Sequence, residues 1–133
     1  MNSYSGHIEQ LETSEDLTLV TIRVGEKVIF KSIVIDTPKS VNYLALGHKI
    51  DVIFKETEVV ISTDSNPSIS LQNKVEGRIT ELLAGDLLSR LVLGTELGSL
   101  VAIISTDAVK SLKLEIGMYV TALIKLNEIT LAT

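Results

Sequence analysis

The chain contains no cysteine and no window approaching 18 uninterrupted apolar residues among its 133 positions. The first absence excludes disulfide scaffolds, thiolate zinc sites and cysteine nucleophiles. The second excludes a membrane-spanning helix. The amino terminus also lacks the basic stretch and apolar core of a signal peptide, so we expect a cytoplasmic protein. Its 45% apolar content is ordinary for a globular protein.

Positive charge and aromatic rings are also scarce. The net charge of −5 is spread evenly, with −3 over residues 1–63 and −2 over residues 64–133. The whole chain has only five aromatic side chains. Nucleic-acid binding needs a basic surface or stacking platforms. We therefore expect no direct contact with nucleic acid and none with a membrane.

Catalytic motifs are absent as well. The chain has two histidines, His7 and His48, without HxH or HExxH spacing, and it has neither a Gly-x-Ser-x-Gly elbow nor a P-loop. The neighbouring acids Glu56 and Glu58 fit a solvated edge better than a site for a hard cation. We predict no catalytic residue, no directly ligated metal and no organic cofactor.

An internal repeat is the most informative feature of the sequence. Gly6 and Gly77 match at an offset of 71 residues, and residues 32–63 match residues 102–133 at an offset of 70. Identical residues within the second alignment include Gly47 with Gly117 and Lys55 with Lys125. Shared glycine and lysine at nearly constant offset indicate a tandem duplication rather than chance similarity between two β-rich halves.

Each half shows the alternation of apolar and polar residues that is typical of strands. In the second half we expect strands near 74–82, 86–94, 98–105, 118–125 and 128–132, with a short helix at 108–113 capped by Asp107. In the first half we expect a hairpin around Gly25, a helical turn before Gly47, and a last strand, residues 58–62, that closes the unit.

The predicted fold class is therefore all-β, with two tandem OB-like small β-barrel units of about five strands and one short helical turn each. The first unit spans residues 1–63, the junction 64–69, and the second unit 70–133. A unit of this size is only marginally stable alone. Packing of the two units and association between chains would relieve this, so we predict a homo-oligomer.

Neutral hydrogen-bond donors and one cation lie at predicted strand ends in the second unit. They are Ser70, Gln72, Asn73, Ser105, Thr106 and Lys125. Such donors, with backbone N–H groups, suit a fully ionised oxyanion, whereas carboxylates would repel it. From composition alone, ordinary polar strand ends are the favoured explanation of these residues.

Three segments in order change that balance: residues 69–79 (ISLQNKVEGRI), 101–105 (VAIIS) and 120–125 (VTALIK). The whole chain, as two tandem copies, resembles the molbindin family, which is built from Mop or TOBE domains. The resemblance implies binding of molybdate or tungstate at interfaces between units. It also implies a homo-oligomer, with a trimer favoured.

The resemblance also implies a set of oxyanion-binding residues. In the second copy these are Ser70, Gln72, Asn73, Ser105, Lys125 and the backbone of Leu126; in the first copy they are Asn2 and Lys55. Gln72 stands where the family usually has arginine, and Ala108 stands where it usually has a second hydroxyl. Losing one charged hydrogen bond costs about 1.5–3 kcal/mol, or roughly tenfold to a hundredfold in affinity.

Two functions follow from the resemblance. The first is cytoplasmic binding and storage of molybdate or tungstate for molybdenum homeostasis. The second is a regulatory, effector or protein-interaction module of a molybdate-responsive system, with weakened or lost oxyanion binding. We expect a regulator to carry a DNA-binding helix-turn-helix, for which residues 1–133 leave no room, so storage is the favoured hypothesis.

Overall fold

A computed structural model describes residues 1–133 and contains ten strands in two five-stranded sheets. The first half supplies β1 (Asn2–Ser14), β2 (Leu17–Arg23), β3 (Ile29–Val34), β4 (Lys49–Phe54) and β5 (Val60–Ser62). The second half supplies β6 (Asn73–Ala84), β7 (Leu88–Thr95), β8 (Gly98–Ser105), helix α1 (Thr106–Ser111), β9 (Tyr119–Ile124) and β10 (Thr130–Ala132). Two single 3₁₀ turns, Glu56–Glu58 and Leu126–Glu128, precede β5 and β10. The predicted all-β class is confirmed, and no helix is long and apolar enough to cross a membrane.

The sequence repeat is also a repeat in three dimensions. Both long strands, β1 and β6, carry an irregularity at the same place, after Ile8 and after Ile79. The N–H of Gly47 donates to the Ile8 carbonyl at 2.7 Å, and that of Gly117 donates to the Ile79 carbonyl at 2.8 Å. Both glycines have positive φ, 81° and 97°, a region that side chains disfavour. The two matched glycines are therefore required by the same turn.

The last short strand of each half belongs to the sheet of the other half. The sheet orders are β10-β4-β1-β2-β3 and β5-β9-β6-β7-β8. The expectation that residues 58–62 close the first unit is thus wrong, because Val60–Ser62 pairs with β9 of the second sheet. In exchange, Thr130–Ala132 pairs with β4. The two units share strands, and the proposed boundaries at 63 and 70 divide the sequence rather than the sheets.

This exchange places the apolar core across both sheets. One cluster of 22 buried residues runs through the chain and includes Val59 and Ile129, which directly precede the exchanged strands. The Oγ of Ser32, itself fully buried, donates to the carbonyl of Ile129 at 3.1 Å. Because a small unit has little core of its own, sharing one core stabilises both units.

The structure has a helical turn before Gly47 at Thr37, whose carbonyl accepts from the N–H groups of Ser40 and Val41, but residues 42–47 form turns and a bend. The predicted cap of α1 is wrong. In the second half the helix begins at Thr106, and Ser105 is its N-cap instead of Asp107. The Ser105 Oγ accepts from the Ala108 N–H at 3.0 Å, which satisfies one of the free N–H groups of the first turn.

Candidate functional site

Asn73, predicted from the sequence to bind an oxyanion, clamps one sheet to the other. Its side chain is only 1% exposed. The Oδ1 atom accepts from the N–H of Lys31 at 2.7 Å, and the Nδ2 atom donates to the carbonyl of Lys31 at 2.9 Å. Lys31 lies on β3, the edge strand of the first sheet. The side-chain amide therefore takes the place of a neighbouring strand at Lys31, since it pairs with both backbone groups of that residue.

Asn2 makes the equivalent clamp in the other direction. Its Oδ1 accepts from the N–H of Val101 at 2.9 Å, and its Nδ2 donates to the Val101 carbonyl at 2.8 Å. Val101 lies on β8, the edge strand of the second sheet. Two of the eight candidate residues thus use their side-chain amides to hold edge strands. Each Nδ2 has two hydrogens and donates one to the edge strand, so one hydrogen remains for a ligand.

Each clamping asparagine faces a residue on the neighbouring strand, and the next residue along the chain is a lysine. Asn73 faces Ile124 across the β6–β9 pair, and Asn2 faces Phe54 across the β1–β4 pair. Lys125 and Lys55, both exposed, therefore lie beside the clamps. We name Asn73, Lys31, Lys125 and Leu126 the Asn73 corner. We name the equivalent set the Asn2 corner: Asn2, Val101, Lys55 and Glu56.

Two other predicted residues lie next to the Asn73 corner. Ser70 and Gln72 are exposed in the segment that leads into β6. Continuing the β6–β9 register by one residue places Gln72 opposite Lys125. Gln72, Asn73, Lys125 and the backbone of Leu126 therefore lie near one another in the strand register, and their binding of an oxyanion stays a prediction.

Ser105 is not brought to this corner within one chain. It pairs with Leu88 at the end of the second sheet where β6 finishes, at Ala84. Asn73 begins β6, 11 residues earlier, and a strand advances about 3.3 Å per residue. Ser105 and Asn73 therefore lie at opposite ends of the sheet. A site that contains both must take them from different copies of the chain.

The sequence analysis missed the charged groups that accompany the two corners. Lys31 adds a second lysine to the Asn73 corner, although no motif singled it out. In the Asn2 corner, a carboxylate oxygen of Glu56 lies 2.5 Å from the terminal ammonium of Met1. This ammonium and the backbone N–H of Glu56 lower the pKa of the carboxyl, and Arg90 on β7 adds to the effect. Glu56 is thus a partly exposed carboxylate that is paired with an ammonium group.

A neighbouring depression of about 540 Å³ is unsuited to an anion. Its lining includes three carboxylates and two ammonium groups, from Glu26, Glu76, Glu96, Lys27 and Lys74. The excess of negative charge there would repel an oxyanion. The four residues of the Asn73 corner include two lysines and no carboxylate, so this corner suits an anion better.

Comparison with known proteins finds similar sequences. Residues 69–131 match the TOBE domain family. The molybdenum transport protein ModE of Herbaspirillum seropedicae is 26% identical over 133 residues, which cover 98% of this chain and 49% of that protein. The chain thus spans about half the length of this curated relative.

Solved structures are also similar. The cytoplasmic molybdate-binding protein ModG, crystallised with molybdate bound, superposes with a TM-score of 0.90 at 23% identity, covering 99% of this chain and 95% of ModG. A molybdate-binding protein from Sporomusa ovata is 37% identical, covering 44% of this chain and 88% of that protein, with a TM-score of 0.43. The ModG superposition shows that the two exchanged sheets form the OB-like fold predicted from the sequence. The second half of the chain thus resembles a TOBE domain, and the chain as a whole shares the fold of ModG.

Proposed function

We propose that this protein binds a tetrahedral oxyanion, molybdate or tungstate, reversibly and without catalysis, as a cytoplasmic store. The Asn73 corner carries the proposal. It is supported by the Asn73 side chain on the Lys31 backbone and by Lys125 following the residue opposite Asn73, with no carboxylate among the four residues of the corner. Charge-assisted hydrogen bonds from such donors are the strong ones for an oxyanion. The ordered motifs and the similarity to ModE support molybdate as the ligand class.

We further propose that the site is completed by another copy of the chain. Within one chain Ser105 lies at the other end of the sheet from Asn73, so their joint use requires a second copy. Edge strands β3 and β8 each leave one side unpaired. Large apolar side chains near these edges are exposed, including Leu17, Ile33, Ile35, Leu87 and Leu88. Exposed apolar edges of this kind favour association.

Calorimetric titration with molybdate, tungstate, sulfate and phosphate tests the proposed ligand. We expect saturable binding of molybdate or tungstate and no heat with sulfate. Lys125→Ala should weaken binding roughly tenfold to a hundredfold, the effect of one lost charged hydrogen bond. Lys49→Ala is the matched control, because Lys49 is exposed at the far end of β4. If none of the four anions binds, the proposal is refuted.

The oligomeric state can be measured separately. A single chain has a mass of 14.5 kDa, so sedimentation equilibrium distinguishes a monomer from the trimer that we propose. A monomer at all concentrations would contradict an interface site. It would leave Ser105 outside the binding site.

The similarity to about half of ModE favours a second candidate function. The chain would then act as the oxyanion-sensing module of a molybdate-responsive system and would transmit binding to a partner. A partner that is retained on the immobilised chain only with molybdate present would support sensing. Binding of molybdate with no change in any retained protein would support storage.

A further inference from the structure

The two corners of the chain are equivalent in backbone geometry. In each, an asparagine amide clamps the opposite edge strand with two hydrogen bonds of 2.7–2.9 Å. In each, a lysine follows the facing strand and begins a 3₁₀ turn, in which the N–H of the third residue donates to the lysine carbonyl at 3.0 Å. If backbone geometry alone decided binding, both corners would accept an oxyanion.

The side chains of the two corners differ at the first residue of that turn. The residue after Lys125 is Leu126, which carries no charge, whereas the residue after Lys55 is Glu56. A second difference lies on the clamped edge strand, where the Asn73 corner has Lys31 and the Asn2 corner has Val101. The Asn73 corner thus has no carboxylate at this position, whereas the Asn2 corner has one beside the Met1 ammonium and Arg90.

The Glu56 carboxylate lies among positive groups of the Asn2 corner. One oxygen lies against the Met1 ammonium at 2.5 Å, and the side chain is only 28% exposed. The backbone N–H of Glu56 also stabilises the charged carboxylate. This N–H is the repeat equivalent of the Leu126 N–H, which we place in the proposed site. A carboxylate is itself an oxyanion, so it satisfies these donors and repels a second anion.

We propose that the two corners are unequal in function: the Asn73 corner accepts the oxyanion, whereas the Asn2 corner is filled by its own Glu56 carboxylate. This inference rests on the proposed function and adds to it the number of sites. It predicts one oxyanion per chain, although the chain contains two copies of the repeat.

Substitutions that exchange the two side chains test the inference by calorimetric titration with molybdate. Wild-type protein should bind one anion per chain. Glu56→Leu, which removes the carboxylate from the Asn2 corner, should raise this number to two. Glu81→Leu removes an exposed carboxylate from β6 and should leave the number at one. Two anions per chain in the wild type, or one in Glu56→Leu, would overturn the inference.

The reverse substitution examines the other corner. Leu126→Glu should reduce the affinity of the wild-type site at least tenfold, whereas Leu126→Gln, of similar size and without charge, should retain it. Urea midpoints of both variants report whether the half-buried position tolerates the change. A folded Leu126→Glu protein with unchanged affinity would contradict the inference.

Failure of the inference and failure of the proposed function give different results. If the wild type binds nothing but Glu56→Leu gains one site, the blocking role of Glu56 stands and the Asn73 corner is not a binding site. If neither protein binds, both proposals fall. A nuclear magnetic resonance titration of the Glu56 carboxyl provides a readout without ligand. Its pKa should lie below the ordinary value of 4.5, because the Met1 ammonium and the Glu56 backbone N–H stabilise the carboxylate.

Discussion

Replacing Asn73 with alanine should destabilise the whole chain, because this side chain joins the two sheets. The substitution removes the two hydrogen bonds, of 2.7 and 2.9 Å, to the backbone of Lys31. The side chain is 1% exposed, so truncation also leaves a space at the contact of β6 with β3. The N–H and carbonyl of Lys31 would both lose their partner.

The expected loss can be worked from these contacts. A buried polar group left without a partner costs about 1–3 kcal/mol. Two such groups would cost about 2–6 kcal/mol, but β3 is an edge strand, so water can reach part of its unpaired side. We therefore expect a loss of roughly 2–4 kcal/mol in the free energy of unfolding, a large share of the 5–15 kcal/mol typical of a domain.

Urea unfolding followed by far-ultraviolet circular dichroism measures this loss. The midpoint should fall, and the slope should stay unchanged if the native fold is retained. Asn42→Ala is a matched control at an exposed position in a turn. A loss below about 0.5 kcal/mol for Asn73→Ala would refute the clamp. Asn73 would then be free to act as a ligand alone.

Three further substitutions test other parts of the structure. Gly6→Ala would place a Cβ atom 2.6 Å from the Arg23 carbonyl oxygen, so we expect a loss of about 1–3 kcal/mol or failure to fold, measured by urea denaturation. Ser105→Ala removes the N-cap of α1 and should cost about 1 kcal/mol in the same assay; an unchanged midpoint would show that the cap is not needed. Burial raises the pKa of Tyr4 to about 12 from 10.0. The folded state holds the phenol proton more tightly than the unfolded state, so its contribution to stability is fully present below pH 10 and is lost as the pH rises toward 12. In an absorbance titration, the Tyr4→Phe protein should lack the tyrosine transition at the highest pH.

The duplicated strand pattern could be predicted from the sequence because it depends on local features. Alternating apolar residues determine which face of each strand is buried, and the matched Gly47 and Gly117 mark turns that need positive φ. The lysines at the ends of β4 and β9 could be found for the same reason, since they occupy the same place in each copy. The repeat and the order of motifs were enough to predict an all-β tandem protein.

Only the tertiary structure decided which strands and side chains meet. Strands β5 and β10 are three residues long, and the two copies present nearly equivalent strands for pairing, so local pattern could not show that they exchange sheets. The clamps join residues 99 and 42 positions apart in sequence, and no periodicity records such a contact. The sequence shows Glu56 in the place of Leu126, but the pairing of its carboxylate with the Met1 ammonium appears only in the structure. Pairings between distant residues depend on the folded arrangement of both partners, and this is why the site needed the structure.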